Sequence, residues 1–322
     1  MLEKIKTIWN KQEDEMIEII KNPKINFMGA RKVTYVISAL LVLNGLFAVY
    51  KVAAGKANMS LDFTGGVSVQ VKFSKPVTIA QIRDITKKEN LNVSIQGVGA
   101  ASENTFLVRA GMKDMGGESG AARIVEVLKK GASDEKLEML EENLIGPLVS
   151  AQLKQKALYA IIWAAIGILV YIWVRFKFKF AVVATLATLH DVLAVIGVTV
   201  LLNKEIDILV LTALLTVAGY SLTDTVVVFD MIRENMKLIL KMPFEQLVNN
   251  SVNEVLSRSI ITSGTTLLVA VSLFYFGGYV LHNFALTFIM GIIVGTYSSV
   301  LMASPLIVDW ENYERKHRAV IK

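Results

Sequence analysis

Long uncharged runs separated by short charged breaks dominate the hydropathy pattern of this chain. Val33–Tyr50 and Ala157–Val174 each run 18 residues without Asp, Glu, Lys or Arg. Phe180–Asn203 follows, interrupted by His190-Asp191, and then Ile208–Phe229, interrupted by Asp224. From Ser259 to Val308 there are 50 consecutive positions without formal charge, enough for two more spans, Ser259–Leu281 and Asn283–Val308. About 20 apolar residues in helix cross the hydrocarbon of a bilayer. The pattern predicts a polytopic α-helical membrane protein with six transmembrane helices.

Between the first two spans the period changes. Lys51–Ser150 has ordinary mixed charge and reads as a small α+β domain. Val67–Phe73 alternates as a strand does. Thr78–Glu89 carries an N-capping Thr and apolar Ile79, Ile82 and Ile85, which predicts a helix. Asn92–Val98 and Thr105–Arg109 read as strands, and Ser119–Lys130 as a second amphipathic helix ending at Gly131. The order β-α-β-β-α suggests a ferredoxin-like, split-βαβ module. Leu137–Ile145 fits a closing strand or a third helix, and local periodicity leans to helix. Residues 1–32 are charged and mildly amphipathic, which predicts an interfacial helix ending before Pro23. With no apolar stretch before Val33, a cleaved signal peptide is not expected. The predicted organisation is 1–32 amphipathic segment, 33–50 first span, 51–150 outer domain, 151–308 five-helix membrane domain and 309–322 tail.

Composition sharpens this. The chain is 53% hydrophobic and 19% charged, against about 45–50% and about 25% in soluble domains, which excludes soluble and disordered classes. Its net charge is 34 − 28 = +6. The basic residues sit in alternate loops: Arg31-Lys32, Arg175 to Lys179, Arg233 to Arg258, and Arg315 to Arg318. By the positive-inside rule both termini are cytoplasmic and 51–150 lies outside. No basic stripe with interleaved aromatics points to nucleic acid. Cysteine is absent, which removes disulfides, thiolate chemistry and Cys-type zinc sites. P-loop, GxGxxG, HExxH and nucleophile-elbow motifs are also missing, so no cofactor, metal or hydrolytic activity is expected.

A carboxylate at mid-membrane costs about 2.5–3.5 kcal/mol on insertion scales, so each one raises a functional question. Asp224 shares a helical face with Thr216 and Tyr220, beside a small, hydroxylated stripe of Thr212, Thr216, Gly219 and Thr223 suited to close helix approach. It is either a protonatable transport residue or a static partner for a buried group. Arg258, followed by Thr262 and Thr265, is either its counter-ion or a positive-inside anchor snorkelling to lipid phosphate. His190 and Asp191 lie about 16 Å into the third span. Adjacent helical residues point about 100° apart, which favours a packing or supporting polar role over a metal site. His282 reads as an interfacial residue in a short outer turn. Leu61-Asp62-Phe-Thr-Gly65-Gly66 lacks the Lys and following helix of a phosphate cradle, and reads as a tight turn in which Asp62 caps locally.

Four stretches carry a family resemblance: Asp62 to Gly66, Leu189-His-Asp-Val192, Ala218 to Asp230 with Arg233-Glu-Asn235, and Ser257 to Thr266. In order, spacing and span number they resemble the SecF family of the SecDF protein-export complex, within the resistance-nodulation-division superfamily. Ser60 stands where that family more often has Gly. The resemblance implies a subunit that uses the proton motive force to assist export through the SecYEG channel, paired with SecD and handling the translocating polypeptide outside. It implies a proton pathway through Asp224 and Arg258, with Asp191 a characteristic motif residue, and it favours a closing strand at Leu137–Ile145. Two alternatives from other classes are a half-unit of a proton-coupled lipid or small-molecule exporter and a non-transporting assembly factor. The small outer module argues against the first, and ionisable residues at depth argue against the second.

Overall fold

The computed structural model describes residues 23–99, 103–111, 120–133, 136–238 and 242–320. The amphipathic helix expected within 1–32 falls largely on residues outside that set. Six helices are long and apolar enough to cross a membrane, as the uncharged runs predict. They are α1 (Arg31–Ala53), α5 (Pro147–Arg175), α6 (Phe178–Leu201), α7 (Ile208–Leu238), α8 (Phe244–Phe276) and α9 (Gly278–Ser298). Lipid offers backbone groups no hydrogen bonds, so each run closes its own as helix. The last helix does not end at α9. A π-helical turn, Ser299–Ala303, joins it to α10 (Ser304–Val320). Pro305 has no N–H to donate, which accounts for the loosened ladder just before it.

Helix limits differ from the charge-free runs in two informative places. Helices α7 and α8 extend beyond their apolar portions, so Arg258 lies in the body of α8, not at its start. The fifth and sixth spans divide at Gly277-Gly278, and Gly278 adopts a φ of 68°. His282 is therefore inside α9, its ring 4.2 Å from that of Phe274, and not in an outer turn. The positive φ that Gly278 supplies breaks the helix where hydropathy alone shows no signal.

Between α1 and α5 the short α2 (Leu61–Thr64) leads into β1 (Gly66–Lys72), α3 (Ile79–Lys88), β2 (Val93–Val98), β3 (Thr105–Gly111), α4 (Gly120–Ala132) and β4 (Glu138–Ile145). The sheet order is β2-β3-β1-β4, with every neighbouring pair antiparallel. Thr78 and Gln81 form a reciprocal capping box at the start of α3. Val67, Val69, Val71, Ile82, Val108, Ile124 and Leu128 share a core with the inner faces of both helices. Local periodicity misleads at 137–145, which is strand. Strand β4 is an edge strand exposed along nearly its whole length, so no buried face imposes a period of two on it, and the register also shifts opposite it between Gln70 and Val71.

In the membrane region α6 is the most buried helix, α7 and the α9–α10 stretch follow it equally, and α5 lies largely at the periphery. One end of the bundle gathers most of its ion pairs, among them Arg31 with Glu245 and Asp309, Arg175 with Asp230, and Lys179 with Glu311 and Glu314. The α+β module sits at the other end.

Candidate polar site between the membrane helices

Asp224 projects from α7 into the bundle and is 7% exposed. Ser259 of α8 donates to its Oδ1 at 2.7 Å, and Ser299 of the π-helical turn donates to Oδ2. Three elements thus meet on one carboxylate. The π turn matters here because it widens the helix at Ser299, whose backbone oxygen accepts from Ser304 Oγ at 3.0 Å.

A second carboxylate is joined to the same machinery. Asp191 is fully buried on α6. It accepts from Ser298 at 2.7 Å and from Ser221, both on Oδ2, while Oδ1 lies 2.8 Å from His190 Nδ1. Side chains of adjacent residues thus meet despite diverging from the helix axis. Ser298 and Ser299 are consecutive, so one dipeptide holds both carboxylates; Ser221 lies one turn before Asp224. His190 Nε2 and Thr225 Oγ1 are buried with no hydrogen-bond partner among the described residues.

The structure does not bring Arg258 to Asp224. Arg258 is exposed and makes no ion pair among the described residues, and its neighbour Ser259 takes the inward position. The hydroxylated stripe also faces outward. Thr212, Thr216, Gly219, Thr223, Thr262 and Thr265 are exposed. Each of the five hydroxyls bonds a carbonyl one turn back in its own helix, at 2.8–3.0 Å. A Cβ on Gly219 would meet nothing within 4 Å, so its smallness serves no contact inside this chain. Tyr220 lies between the two faces, its ring 6.4 Å from that of Phe288.

Sequence reading finds Asp224 and Asp191 by their depth and misses all four serines. Ser221 and Ser259 lie inside two of the stretches that carry the family resemblance, whereas Ser298 and Ser299 carry no sequence signal of their own. It also misses the glycines that do pack helices together. A Cβ on Gly291 would fall 1.9 Å from Val217 Cγ2, and one on Gly45 2.3 Å from the Leu193 carbonyl.

Asp62 does not cap its own turn as expected, because Ser60 takes that part. Its Oδ2 accepts from the backbone N–H of Ile208, the first residue of α7, at 3.2 Å. Gly65 and Gly66 have φ of 67° and 142°, and a Cβ on Gly66 would lie 2.3 Å from the Ala110 carbonyl. The turn therefore needs glycine twice. Beside it, Arg109 of β3 pairs with Glu205. Burial holds the Arg109 guanidinium below its usual range, and burial followed by the Asp62 charge pushes Asp207 above the ordinary carboxylate range.

The profile described as protein export membrane protein SecD/SecF, C-terminal, matches residues 124–313, and the SecD/SecF GG motif matches residues 56–77. The protein translocase subunit SecF of Thermodesulfovibrio yellowstonii is 46% identical over 296 residues, covering 91% of this chain and 97% of its own. The SecF subunit of Vibrio alginolyticus is 38% identical over 293 residues, covering 90% and 91%. A crystal structure of SecDF, a translocon-associated membrane protein from Thermus thermophilus, matches with a TM-score of 0.76 at 36% identity. That match covers 90% of this chain and 39% of the Thermus chain, so this chain spans about two fifths of the fused protein.

Proposed function

Because this chain belongs to the SecF family of protein translocase subunits, we propose that it is an accessory subunit of the Sec translocase that couples proton movement to protein export. The observation that carries the reading is Asp224, a carboxylate buried in a spanning helix and held by hydroxyls alone. A buried carboxylate without a counter-charge is strongly disfavoured when ionised. A group that gains from taking a proton, next to movable hydroxyls, is suited to binding and releasing one.

The exposed stripe on α7 and α8 supports assigning the rest of the pathway to that face. A guanidinium and a row of small hydroxylated residues at hydrocarbon depth are poor company for lipid, so a second membrane subunit covers them. That partner is SecD, present in the same chain in the Thermus protein, and it brings a carboxylate within reach of Arg258. The basic end of the bundle is cytoplasmic and the membrane is the inner one. The module at the other end, β-α-β-β-α-β with alternating strand directions, is a ferredoxin-like domain outside the cytoplasm that meets the translocating polypeptide emerging from SecYEG. Asp191 belongs to the same pathway, while Asp62, Gly65 and Gly66 are structural.

Asp224→Asn keeps the shape and removes the titratable group. Expressed in a strain lacking its native subunit, it should assemble with its partner yet lose potential-stimulated export, as should Arg258→Ala. Normal potential-stimulated export by Asp224→Asn would overturn the proton-carrier role and favour a structural subunit.

A further inference from the structure

The Asp62–Gly66 turn and the α6–α7 loop, 140 residues apart, are sewn together by contacts of four kinds. Backbone pairing comes first: Met59 and Ile206 form a parallel bridge, with Ser60 N–H donating to the Ile206 carbonyl at 2.9 Å and Ile206 N–H to the Asn58 carbonyl at 2.8 Å. Asn58 Nδ2 adds a bond to the Asn203 carbonyl at 3.2 Å. Asp62 accepts from the first N–H of α7, a position favoured by the helix dipole. From the sheet, Arg109 reaches Glu205, and both side chains are largely shielded from solvent. Met59 and Phe63 close the contact with apolar surface, packing on the cluster of Ile206, Val210 and Leu214.

The turn is also fastened to the module. Gly66 opens β1 opposite Gly111 of β3, too close to the Ala110 carbonyl for any side chain. Ser60 N-caps α2, and Thr64 Oγ1 donates back to the Ser60 carbonyl at 3.0 Å. The segment therefore has little freedom of its own: one side belongs to the sheet, and the other packs on the start of α5 and is bonded to the start of α7. Sixteen residues further along, about 24 Å of continuous helix, α7 carries Asp224.

We propose that Asp62–Gly66, with Arg109 and Glu205, is a mechanical staple that makes the outer module and helix α7 one moving body. A tilt or shift of α7 when Asp224 changes its proton occupancy is then delivered to the module, where a flexible tether would dissipate it. Asp62 is a positioning residue here, acting through the helix it caps. The delivery half of this inference rests on the proton reading of Asp224; the rigid linkage does not.

The chain lacks cysteine, so spin labels can be placed at Lys87→Cys, exposed in the module, and at Leu209→Cys, half-buried in the first turn of α7. In the reconstituted complex, pulsed dipolar spectroscopy should give one narrow distance distribution. Asp62→Ala combined with Arg109→Glu should broaden it at least twofold and abolish potential-stimulated export while the complex still co-purifies. Arg109→Glu alone should broaden it, and Glu205→Arg added to that variant should restore both width and export, which a general folding defect would not allow. An unchanged distribution in the double variant, or no rescue by the charge exchange, overturns the staple. A narrow distribution broken by these variants, together with full export by Asp224→Asn, leaves the linkage standing and removes only its proton-driven role.

Discussion

Two carboxylates and four serines show how little a single membrane residue can do by itself. Asp224 and Asp191 are tolerable in an apolar bundle because hydroxyls from neighbouring helices take up their lone pairs. Interhelical hydrogen bonds of this kind are worth about 0.6 kcal/mol on average in membrane proteins and at most about 1.7. Ser299→Ala should therefore destabilise the fold by about 1 kcal/mol in detergent denaturation and leave the protein assembled. Its effect on potential-stimulated export should exceed that small loss of stability, because the variant withdraws one of the two donors to Asp224. A variant with wild-type export would show that Ser299 serves only packing.

At the scale of elements, glycines separate inward from outward surfaces. Gly291→Ala forces a methyl into Val217 at the contact of α7 and α9, and overpacking of this sort costs about 1–3 kcal/mol. Gly219→Ala meets open space and should leave the stability of the isolated chain unchanged. Because Gly219 lies on the face assigned to the partner, the same change should weaken co-purification of that subunit. Equal destabilisation by both substitutions would contradict this division of faces. The start of α7 carries a pH signature as well. Docking buries Asp207 and pushes it above its ordinary value of 3.8, so the docked state binds that proton more tightly. Its contribution is complete below the ordinary value and is lost as pH rises through the raised one. Thermal stability of the chain should decline across that interval, and Asp207→Asn should remove the slope. Identical pH profiles for the two proteins would dismiss the effect.

The whole molecule is polar in the literal sense, with most of its ion pairs at one end of the bundle and the α+β module at the other. Single-cysteine variants at Lys177 and Lys241 should react with impermeant reagents only from the cytoplasmic side, and one at Lys87 only from outside. Outside-only labelling at position 241 would refute the orientation. The module has its own apolar core and normal charge, so a fragment of about residues 57–150 should remain soluble and give dispersed NMR signals. Released from the α6–α7 loop, that fragment also loses the partners of Asp62 and Arg109, and its 58–66 segment should be the least protected against amide exchange.

What the sequence determined by itself is what depends on near neighbours. Six spans are legible because lipid forces each apolar run to satisfy its own backbone. The strands and helices of the module are legible because burial of one face imposes a period of two or 3.6. Asp224 and Asp191 stand out because any charge at that depth is costly. The partners of those carboxylates were decided only in three dimensions. Serines are common in membrane helices and readily bond their own backbone, as the outward threonines do here, so nothing local marks Ser259, Ser298 or Ser299 as donors. Rotation of α8 decided that Ser259, and not Arg258, faces Asp224. The edge strand β4 is exposed along nearly its whole length and so carries no burial period, and a positive φ at Gly278 placed a helix break that hydropathy does not register. Asp62 capping Ile208 across 146 residues is the extreme case. Such a bond exists because the chain returns to the same place, and the return is a property of the packed molecule.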